Sequence, residues 1–310
     1  MLHNVSNDEL KISFFDNTMK LKKILVLIPI ALCCCKAFPQ SNSPQLIMQY
    51  KDSLNNLAKV MQRGETDSAR FSAAASYYSV INSLLVDSAT FNASFDSIPN
   101  LSVRTSSDNV IRLYTWMTSN YEGSVYRYYG FLQVKKNKKF SFVPLTDSTE
   151  VIEKPLSKKL KPENWLGAIY YNILVHERKG KKIYTLLGWK GKNEMLTQKI
   201  IDVLTIDNNK PTFGLAVFKA NNIYNHRVIF EYTSQAVMSL KPANDKTLVF
   251  DHIGRSTITG VIGPDGTYDA FKYKKDHWEF LEDVDVDNGF VPKKKEVKLF
   301  KDSELQKGDK

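Results

Sequence analysis

Three aspartates at alternate positions near the C-terminal end form the most suggestive polar stretch of the sequence. In EDVDVDNG, Asp283, Asp285 and Asp287 would share one face of a β-strand, with neighbouring carboxylates about 7 Å apart. A hard cation such as Ca²⁺ would relieve their repulsion. The stretch departs from the helix-loop-helix calcium pattern, because glycine falls at the seventh place instead of the sixth and a lysine stands at the twelfth. These aspartates are the candidate metal ligands, and no other cofactor is indicated. We favour the alternative of an amphipathic edge strand with a solvated acidic face.

The histidines leave a hydrolytic metal site open without specifying one. His176, His252 and His277 each adjoin an acidic residue, but neighbours on a strand point to opposite faces and would not form a catalytic pair. The sequence contains neither an H-E-x-x-H zinc motif nor a G-x-S-x-G nucleophile elbow. Two interpretations therefore stay open, a zinc site assembled from distant histidines and hydrogen-bonded histidines at strand ends.

Several carboxylates lie on or beside predicted strands, where a glycosidase would need two of them about 5–10 Å apart across a cleft. Glu231, within VIFEYT, is the most informative, because an inward-facing carboxylate must be paired whereas an outward-facing one is hydrated. The sequence does not say which acids converge. The candidates are Glu163, Glu177, Asp202, Glu231, Asp251, Asp269 and Glu279.

Aromatic residues are dense, and adjacent pairs place some of them on outward faces of strands. Exposed aromatic rings suit sugar rings or peptide grooves, whereas buried ones cover sheet faces or pack under helices. Both uses are open for this set. Its members are Trp116, Tyr126, Tyr128, Tyr129, Trp165, Tyr170, Tyr171, Trp189, Tyr268, Tyr273 and Trp278.

A secretory signal peptide is predicted upstream of these residues. A basic stretch beginning at Met19 precedes an apolar run that is too short to span a membrane, and the small residue Ala37 follows it. We interpret residues 1–18, which are polar and acidic, as an extension upstream of the true start. Cleavage after Ala37 would remove all three cysteines, Cys33 to Cys35, and leave a mature chain without disulfides. The alternative is a lipoprotein anchored through one of them.

Two amphipathic helices follow the signal peptide. Apolar residues recur at steps of three and four over residues 44–63, and a second helix is expected over 67–86 after a cap at Thr66 or Asp67. Gly64 ends the first helix, and the short link predicts an antiparallel hairpin. Residues 87–109 have the composition of a connecting loop.

From Val110 the apolar period changes from 3.6 to 2, and short β-branched and aromatic runs alternate with turn-like segments. The predicted fold is mainly β (α+β). It is an antiparallel meander of about a dozen short strands that forms a sandwich, an open barrel or a propeller-like array, preceded by the N-terminal helical hairpin. The predicted divisions are the upstream extension and signal peptide (1–40), the hairpin and loop (41–100), the β domain (101–290) and a charged, disordered tail (291–310).

Several strings resemble a group of exported proteins of Bacteroides-type bacteria, over residues 164–286 and most of the mature chain. They are NWLGAIYYNIL, YTLLGWKG, KIIDVLTID, VIFEYTSQAVMSL, LVFDHI and EDVDV. The resemblance implies export and a β-rich domain, and it carries over no activity and no functional residue.

The expected function is that of an exported, non-enzymatic binding or structural domain in the periplasm, at the envelope or secreted. The expected partner is a glycan, a peptide or an envelope polymer. Nucleic acid is not expected, despite a formal net charge of +10, because the lysines cluster at predicted hairpin tips and no glycine-rich phosphate loop occurs. The mature chain is expected to lack a transmembrane segment. The alternative is an envelope hydrolase that acts on a glycan or peptide through a carboxylate or metal cluster.

Overall fold

The computed structural model describes residues 43–137, 139–256, 260–285 and 291–292. These described residues belong to one compact unit. The predicted signal peptide (1–40) and almost all of the predicted charged tail lie outside the described residues, so both stay predictions.

Two helices open the described chain, within one residue of their predicted bounds. They are α1 (Ser43–Arg63) and α2 (Asp67–Leu85). The side chain of Thr66 caps α2 by accepting a hydrogen bond from the N–H of Ala69 at 3.2 Å. The Nε of Arg70 donates to the carbonyl of Gly64 at 2.7 Å. The link between the helices is thus fixed by a cap and by a side-chain bond across it.

Seventeen strands follow within the described residues. They are β1 (Ser102–Thr105), β2 (Ile111–Ser119), β3 (Tyr126–Lys136), β4 (Lys139–Thr146), β5 (Ile169–Arg178), β6 (Lys181–Gly191), β7 (Leu196–Asp207), β8 (Lys210–Phe213), β9 (Phe218–Ala220), β10 (Ile223–Asn225), β11 (Val228–Thr233), β12 (Leu240–Asn244), β13 (Thr247–Arg255), β14 (Ile262–Lys274), β15 (His277–Leu281), β16 (Val284–Asp285) and β17 (Val291–Pro292).

The strands form three main sheets and one two-stranded pair. The first sheet has the order β1-β2-β3-β4, and the second has β11-β7-β6-β5 with β8 paired to β7. The third has the order β10-β9-β15-β14-β13-β12, and β16 pairs with β17. The predicted mainly β, antiparallel architecture is confirmed, and its arrangement is sandwich-like. One pair departs from the pattern, because β15 runs parallel to β9, with Trp278 opposite Phe218.

Three apolar cores hold these layers together. The first lies between the helices and the first sheet, the second between the first and second sheets, and the third between the second and third sheets. Strand β2 shows the consequence, since Ile111 and Leu113 belong to the second core while Tyr114 and Trp116 belong to the first. Both faces of this strand are buried, which explains why its sequence is apolar on both sides of the alternation.

Local differences from the predicted strands have identifiable backbone causes. The predicted strand over 211–219 is divided into β8 and β9 at Gly214, whose φ is +88°. A Cβ at this glycine would lie 2.6 Å from Nη2 of Arg227. The strand predicted over 236–240 begins only at Leu240, and the predicted loop over 87–109 contains β1 together with a short 3₁₀ helix, Ser88–Asn92.

Candidate functional site

The candidate cation ligands are only partly within the described residues. Asp283 has a φ of 50°, and its N–H donates to Oδ1 of Asp269 at 3.0 Å. Asp285 lies in the short strand β16, and Asp287 lies outside the described residues. In the part of the chain that the structure describes, no group of three or more histidine, cysteine or acidic residues is arranged to hold a metal ion. The calcium site therefore stays a prediction.

The histidines form separate local contacts. Nδ1 of His252 lies 2.8 Å from Oδ2 of Asp269, across the strand pair and away from its sequence neighbour. Burial lowers the pKa of His252, but the hydrogen bond and the charge of Asp269 outweigh it, so that the pKa is raised overall. His277 does contact adjacent Asp276, at 3.2 Å, because Asp276 lies in the turn before β15. Strand alternation does not apply to this doublet, since only His277 lies in β15.

Glu231 is paired at the surface, with Oε2 accepting hydrogen bonds from Nζ of Lys192 and Nε2 of Gln198, both at 2.8 Å. Asp202, by contrast, is fully buried and lies 3.2 Å from Nε of Arg227, through Oδ2. The Nη1 of Arg227 donates to the carbonyls of Pro155 and Lys158. This buried ion pair anchors the segment before β5 to the second sheet.

Most aromatic side chains are structural, because Trp116, Trp165 and Trp278 are fully buried. Half-buried tyrosines remain around an open groove of about 930 Å³. Its walls come from α2, the start of β3, the segment that follows β4, and the turn between β6 and β7. The lining includes Tyr78, Tyr126, Arg127, Tyr128, Tyr129, Asp147, Thr149, Glu150, Val151, Lys190, Lys192 and Gln198.

Lys190 forms a buried cationic centre at the base of this groove, with only 3% of its surface exposed. Its Nζ donates to Oγ1 of Thr149 at 2.6 Å and to the carbonyl of Gly167 at 2.8 Å. The same nitrogen lies 4.1 Å from the centroid of the Tyr128 ring. Burial lowers the pKa of Lys190 to about 8, against the opposing influence of the Asp147 carboxylate. The protein thus satisfies this ammonium group through its own acceptors and one aromatic face.

Asp147 links the bottom of the groove to its wall. Its Oδ1 accepts from the N–H and hydroxyl of Thr149 and from the N–H of Gly167, and its Oδ2 accepts from the N–H of Tyr128 at 3.1 Å. A Cβ at Gly167 would lie 2.5 Å from Cβ of Tyr128 and 2.7 Å from Cγ of Asp147, so the approach requires glycine. The carboxylate is therefore a fixed acceptor that shapes the wall.

Three half-buried tyrosines line the groove, with Tyr78 and Tyr129 packed on the first core and Tyr126 packed on the second core, on the opposite face of β3. Tyr129 stacks on Trp116 with centroids 5.7 Å apart and planes at 12°, and Tyr78 stacks on Phe131 at 4.8 Å and 29°. The ring of Tyr126 packs so closely on Gly191 that a Cβ there would lie 2.5 Å from it. Within the described residues, the hydroxyls of these three tyrosines have no hydrogen-bond partner in the protein.

The alternation along β6 indicated that Lys190 faces the core, although its charge would normally predict an exposed side chain. Alternate residues of β6 point to the same face, and this face packs on the second core. They are Leu186, Gly188 and Lys190. Thr149 gave no comparable signal, because it lies in a short 3₁₀ helix, Thr149–Val151. Of the predicted aromatic candidates, Tyr126, Tyr128 and Tyr129 meet at the groove.

The fold and the groove define a mainly β, sandwich-like protein with an open, tyrosine-lined cleft. Comparison with protein-family models, with curated proteins and with solved structures found no match. Among the helices that the structure describes, none is long and apolar enough to cross a membrane.

Proposed function

We propose that the chain is an exported, non-enzymatic binding domain of the bacterial envelope, and that its ligand occupies the tyrosine-lined groove. The order of basic, apolar and small residues from Met19 to Ala37 supports export. The resemblance to exported proteins of Bacteroides-type bacteria supports the same compartment. A glycan, a peptide or another envelope polymer is the class of partner.

The observation that carries the binding function is the open groove of about 930 Å³, which half-buried tyrosine rings line on both faces of β3. Because Tyr78, Tyr126 and Tyr129 pack against Phe131, Gly191 and Trp116, little side-chain entropy remains to be lost when a ligand binds. Each ring combines apolar area with a polar tip. A preformed concave surface of this kind favours ligand binding.

The alternative hydrolase finds its best support in two carboxylates that line the groove, Asp147 and Glu150. The oxygens of Asp147 accept hydrogen bonds from Thr149, Gly167 and Tyr128, and these bonds hold the carboxylate against the groove wall. This contact set favours a structural role for Asp147, and hence binding over hydrolysis.

A co-sedimentation experiment tests the binding function. The purified protein from Ser41 onward is mixed with insoluble cell-wall material from a diderm bacterium. We expect the protein to sediment with the wall, and Tyr126→Ala to reduce the bound fraction. Tyr268→Ala, which removes a tyrosine that is 39% exposed on β14, is the matched control.

Two results would contradict this proposal. Equal sedimentation of the wild type and Tyr126→Ala would show that the groove is not the binding surface. Release of soluble wall fragments that depends on Asp147 or Glu150 would instead favour the hydrolase. Edman sequencing of the envelope form tests export separately, and the mature chain should begin between Phe38 and Ser41.

A further inference from the structure

We propose that one end of the sandwich is a docking surface for an anionic lipid membrane. This surface, the basic end, consists of the described residues of five hairpin turns, β3–β4, β5–β6, β7–β8, β12–β13 and β14–β15, each with the two residues on either side. The ranges are 135–140, 177–182, 206–211, 243–248 and 273–278. None of the residues that line the groove lies in these turns, so the basic end is a second surface.

Side-chain hydrogen bonds join the five turns, which belong to all three main sheets, into one continuous surface. The β7–β8 turn bonds to the β3–β4 and β5–β6 turns, the β14–β15 turn bonds to the β5–β6 turn, and the β12–β13 turn bonds to β5. The contacts are Lys136 with Asn209 at 3.2 Å, Lys181 with Asp207 at 2.6 Å, Arg178 with the carbonyl of Asp276 at 2.9 Å, and His176 with the carbonyl of Asp245 at 2.6 Å. Because packed sheets lie about 10 Å apart, the three layers make this surface about 20 Å across.

The basic end carries a large excess of positive charge. Its described residues include eleven lysines and arginines against four acidic residues, so the surface attracts anions. Each of the five turns presents one exposed lysine that forms no ion pair within the described residues. These lysines are Lys139, Lys179, Lys210, Lys246 and Lys275.

The opposite end of the sandwich does not share this charge. It is formed by the α1–α2, β2–β3, β6–β7 and β11–β12 connections, which contact one another. The contacts are the hydroxyl of Thr118 with the carbonyl of Met61, the ring of Tyr126 with Gly191, and the N–H of Ser234 with the carbonyl of Met195. Counted in the same way, these connections carry five lysines and arginines against four acidic residues. Solubility and edge protection would require charge at both ends, so the asymmetry indicates a negatively charged partner.

Two of the exposed lysines stand where the backbone favours a different residue. Lys179 and Lys275 have φ values of 51° and 53°, in the left-handed region that favours glycine and asparagine. Asparagines occupy this region in the neighbouring turns, at positions 137, 208 and 209. Turn geometry therefore does not account for lysine at these two positions, whereas a role for its charge does.

The distribution of the charge favours a lipid surface over a single polymer chain. The five lysines lie on separate turns across three layers, so a linear polyanion could follow only one row of them, whereas a planar surface meets them all. Ten of the eleven basic residues are lysines, which act as point charges instead of the fork by which arginine binds an individual phosphate. None of the exposed large apolar side chains of the described residues lies in these turns, so the contact is electrostatic.

The chain enters the compact unit at the basic end. Helix α2 ends beside β3, where Nε2 of Gln133 donates to the carbonyl of Leu85 at 3.5 Å, three residues before Lys136. Since a three-residue link makes α1 antiparallel to α2, α1 begins at this end with Ser43. A lipid anchor at one of Cys33 to Cys35, the alternative that the sequence leaves open, would join the chain on the side of the basic turns.

Co-sedimentation with lipid vesicles tests the inference. The purified protein from Ser41 onward is mixed with vesicles of phosphatidylcholine that contain about one third phosphatidylglycerol, or with vesicles of phosphatidylcholine alone. We expect binding to the anionic vesicles only, and loss of this binding in about 0.5 M sodium chloride, where the Debye length falls to about 4 Å. Equal binding to both kinds of vesicle, or binding that salt does not weaken, would overturn the inference.

A double variant identifies the surface without straining the fold. Lys179→Asn with Lys275→Asn removes two charges at positions where asparagine suits the backbone, so the melting temperature should not fall. Its affinity for anionic vesicles should fall about 25-fold, or about fivefold for each lysine. The matched control is Lys154→Asn with Lys59→Gln, because both lysines are exposed outside the basic end and Lys154 also has a left-handed φ of 50°. The control should bind as the wild type does.

The remaining outcomes decide against the inference. Equal affinity of the two double variants would show that the basic end is not the docking surface. Binding to soluble heparin that depends on Lys179 and Lys275, without binding to anionic vesicles, would identify a polymer as the partner and overturn the membrane. Each of these results leaves the groove proposal to its own test, which depends on Tyr126.

Discussion

Nζ of Lys190 lies 2.6 Å from Oγ1 of Thr149, and this contact joins the second sheet to the segment that follows the first. The two residues are 41 positions apart in the sequence. Through Thr149 the buried ammonium also reaches Asp147, whose carboxylate accepts from the Thr149 hydroxyl. The wall of the groove is therefore held by a polar chain of three residues, Lys190, Thr149 and Asp147.

Lys190 should make the stability of the protein rise with pH in the alkaline range. Its folded pKa of about 8 lies below the ordinary lysine pKa of 10.5, so between these values the unfolded chain binds the proton that the folded chain has lost. Relative to Lys190→Met, the wild type should gain at most about 1.4 kcal/mol per pH unit above pH 8. Urea unfolding at pH 7 and pH 9.5 measures the change. A difference between the wild type and Lys190→Met that stays the same at both pH values would refute the expectation.

Removal of the Thr149 hydroxyl should destabilise the fold. Thr149→Val keeps the shape of the side chain but leaves Lys190 with one acceptor fewer, at a cost of about 1–3 kcal/mol in the free energy of unfolding. Thr149→Ser retains the hydroxyl and should cost less. Chemical denaturation of the two variants provides the comparison, and equal losses would show that the hydroxyl is not responsible.

The ion pair of Asp202 and Arg227 should contribute far more than a surface pair. Both of its side chains are buried, so Asp202→Asn leaves the Arg227 guanidinium without its counter-charge, at a cost of about 3–5 kcal/mol. The pair of Lys181 and Asp207 is closer, at 2.6 Å, yet both side chains are mostly exposed. Lys181→Met should therefore cost less than about 1 kcal/mol. Denaturation of both variants under one condition decides the ranking, and similar losses would contradict it.

His252 should stabilise the third sheet at acidic pH. Its folded pKa is raised by Asp269, so the stabilisation is fully present below the unfolded value of 6.5 and is lost as pH rises through the folded value. The side chain is 34% exposed, and solvent screening limits the effect to below about 1 kcal/mol. The difference between the wild type and His252→Gln should be larger at pH 5.5 than at pH 8. The opposite order in thermal unfolding would show that the pair does not form.

Calcium should hardly change the melting temperature. Asp283, Asp285 and Asp287 lack the glycine and the final acid of a specific calcium loop. A specific site at a hundredfold excess of ion would stabilise by about 2.7 kcal/mol, a shift of a few degrees in a chain of this size. Differential scanning calorimetry in millimolar Ca²⁺ measures it. A shift of that size, abolished by Asp285→Asn, would make this stretch a genuine cation site.

Local periodicity made the helices and the strand-rich class predictable. The predicted helices 44–63 and 67–86 correspond to α1 and α2, because apolar spacing and the cap at Thr66 act within a few residues. The alternation that begins at Val110 likewise predicted short strands and a mainly β fold. These features depend on the side-chain directions of a helix or a strand, which neighbouring residues alone determine.

The tertiary structure alone decided which faces meet, and therefore where the candidate site lies. A lysine in a strand is read as exposed unless its partners are known, and the partners of Lys190 come from Thr149 and Gly167, far away in the sequence. The parallel pairing of β15 with β9 is equally invisible to a local pattern. Strand pairing and sheet packing depend on the closure of long loops and on complementary faces, and periodicity specifies neither.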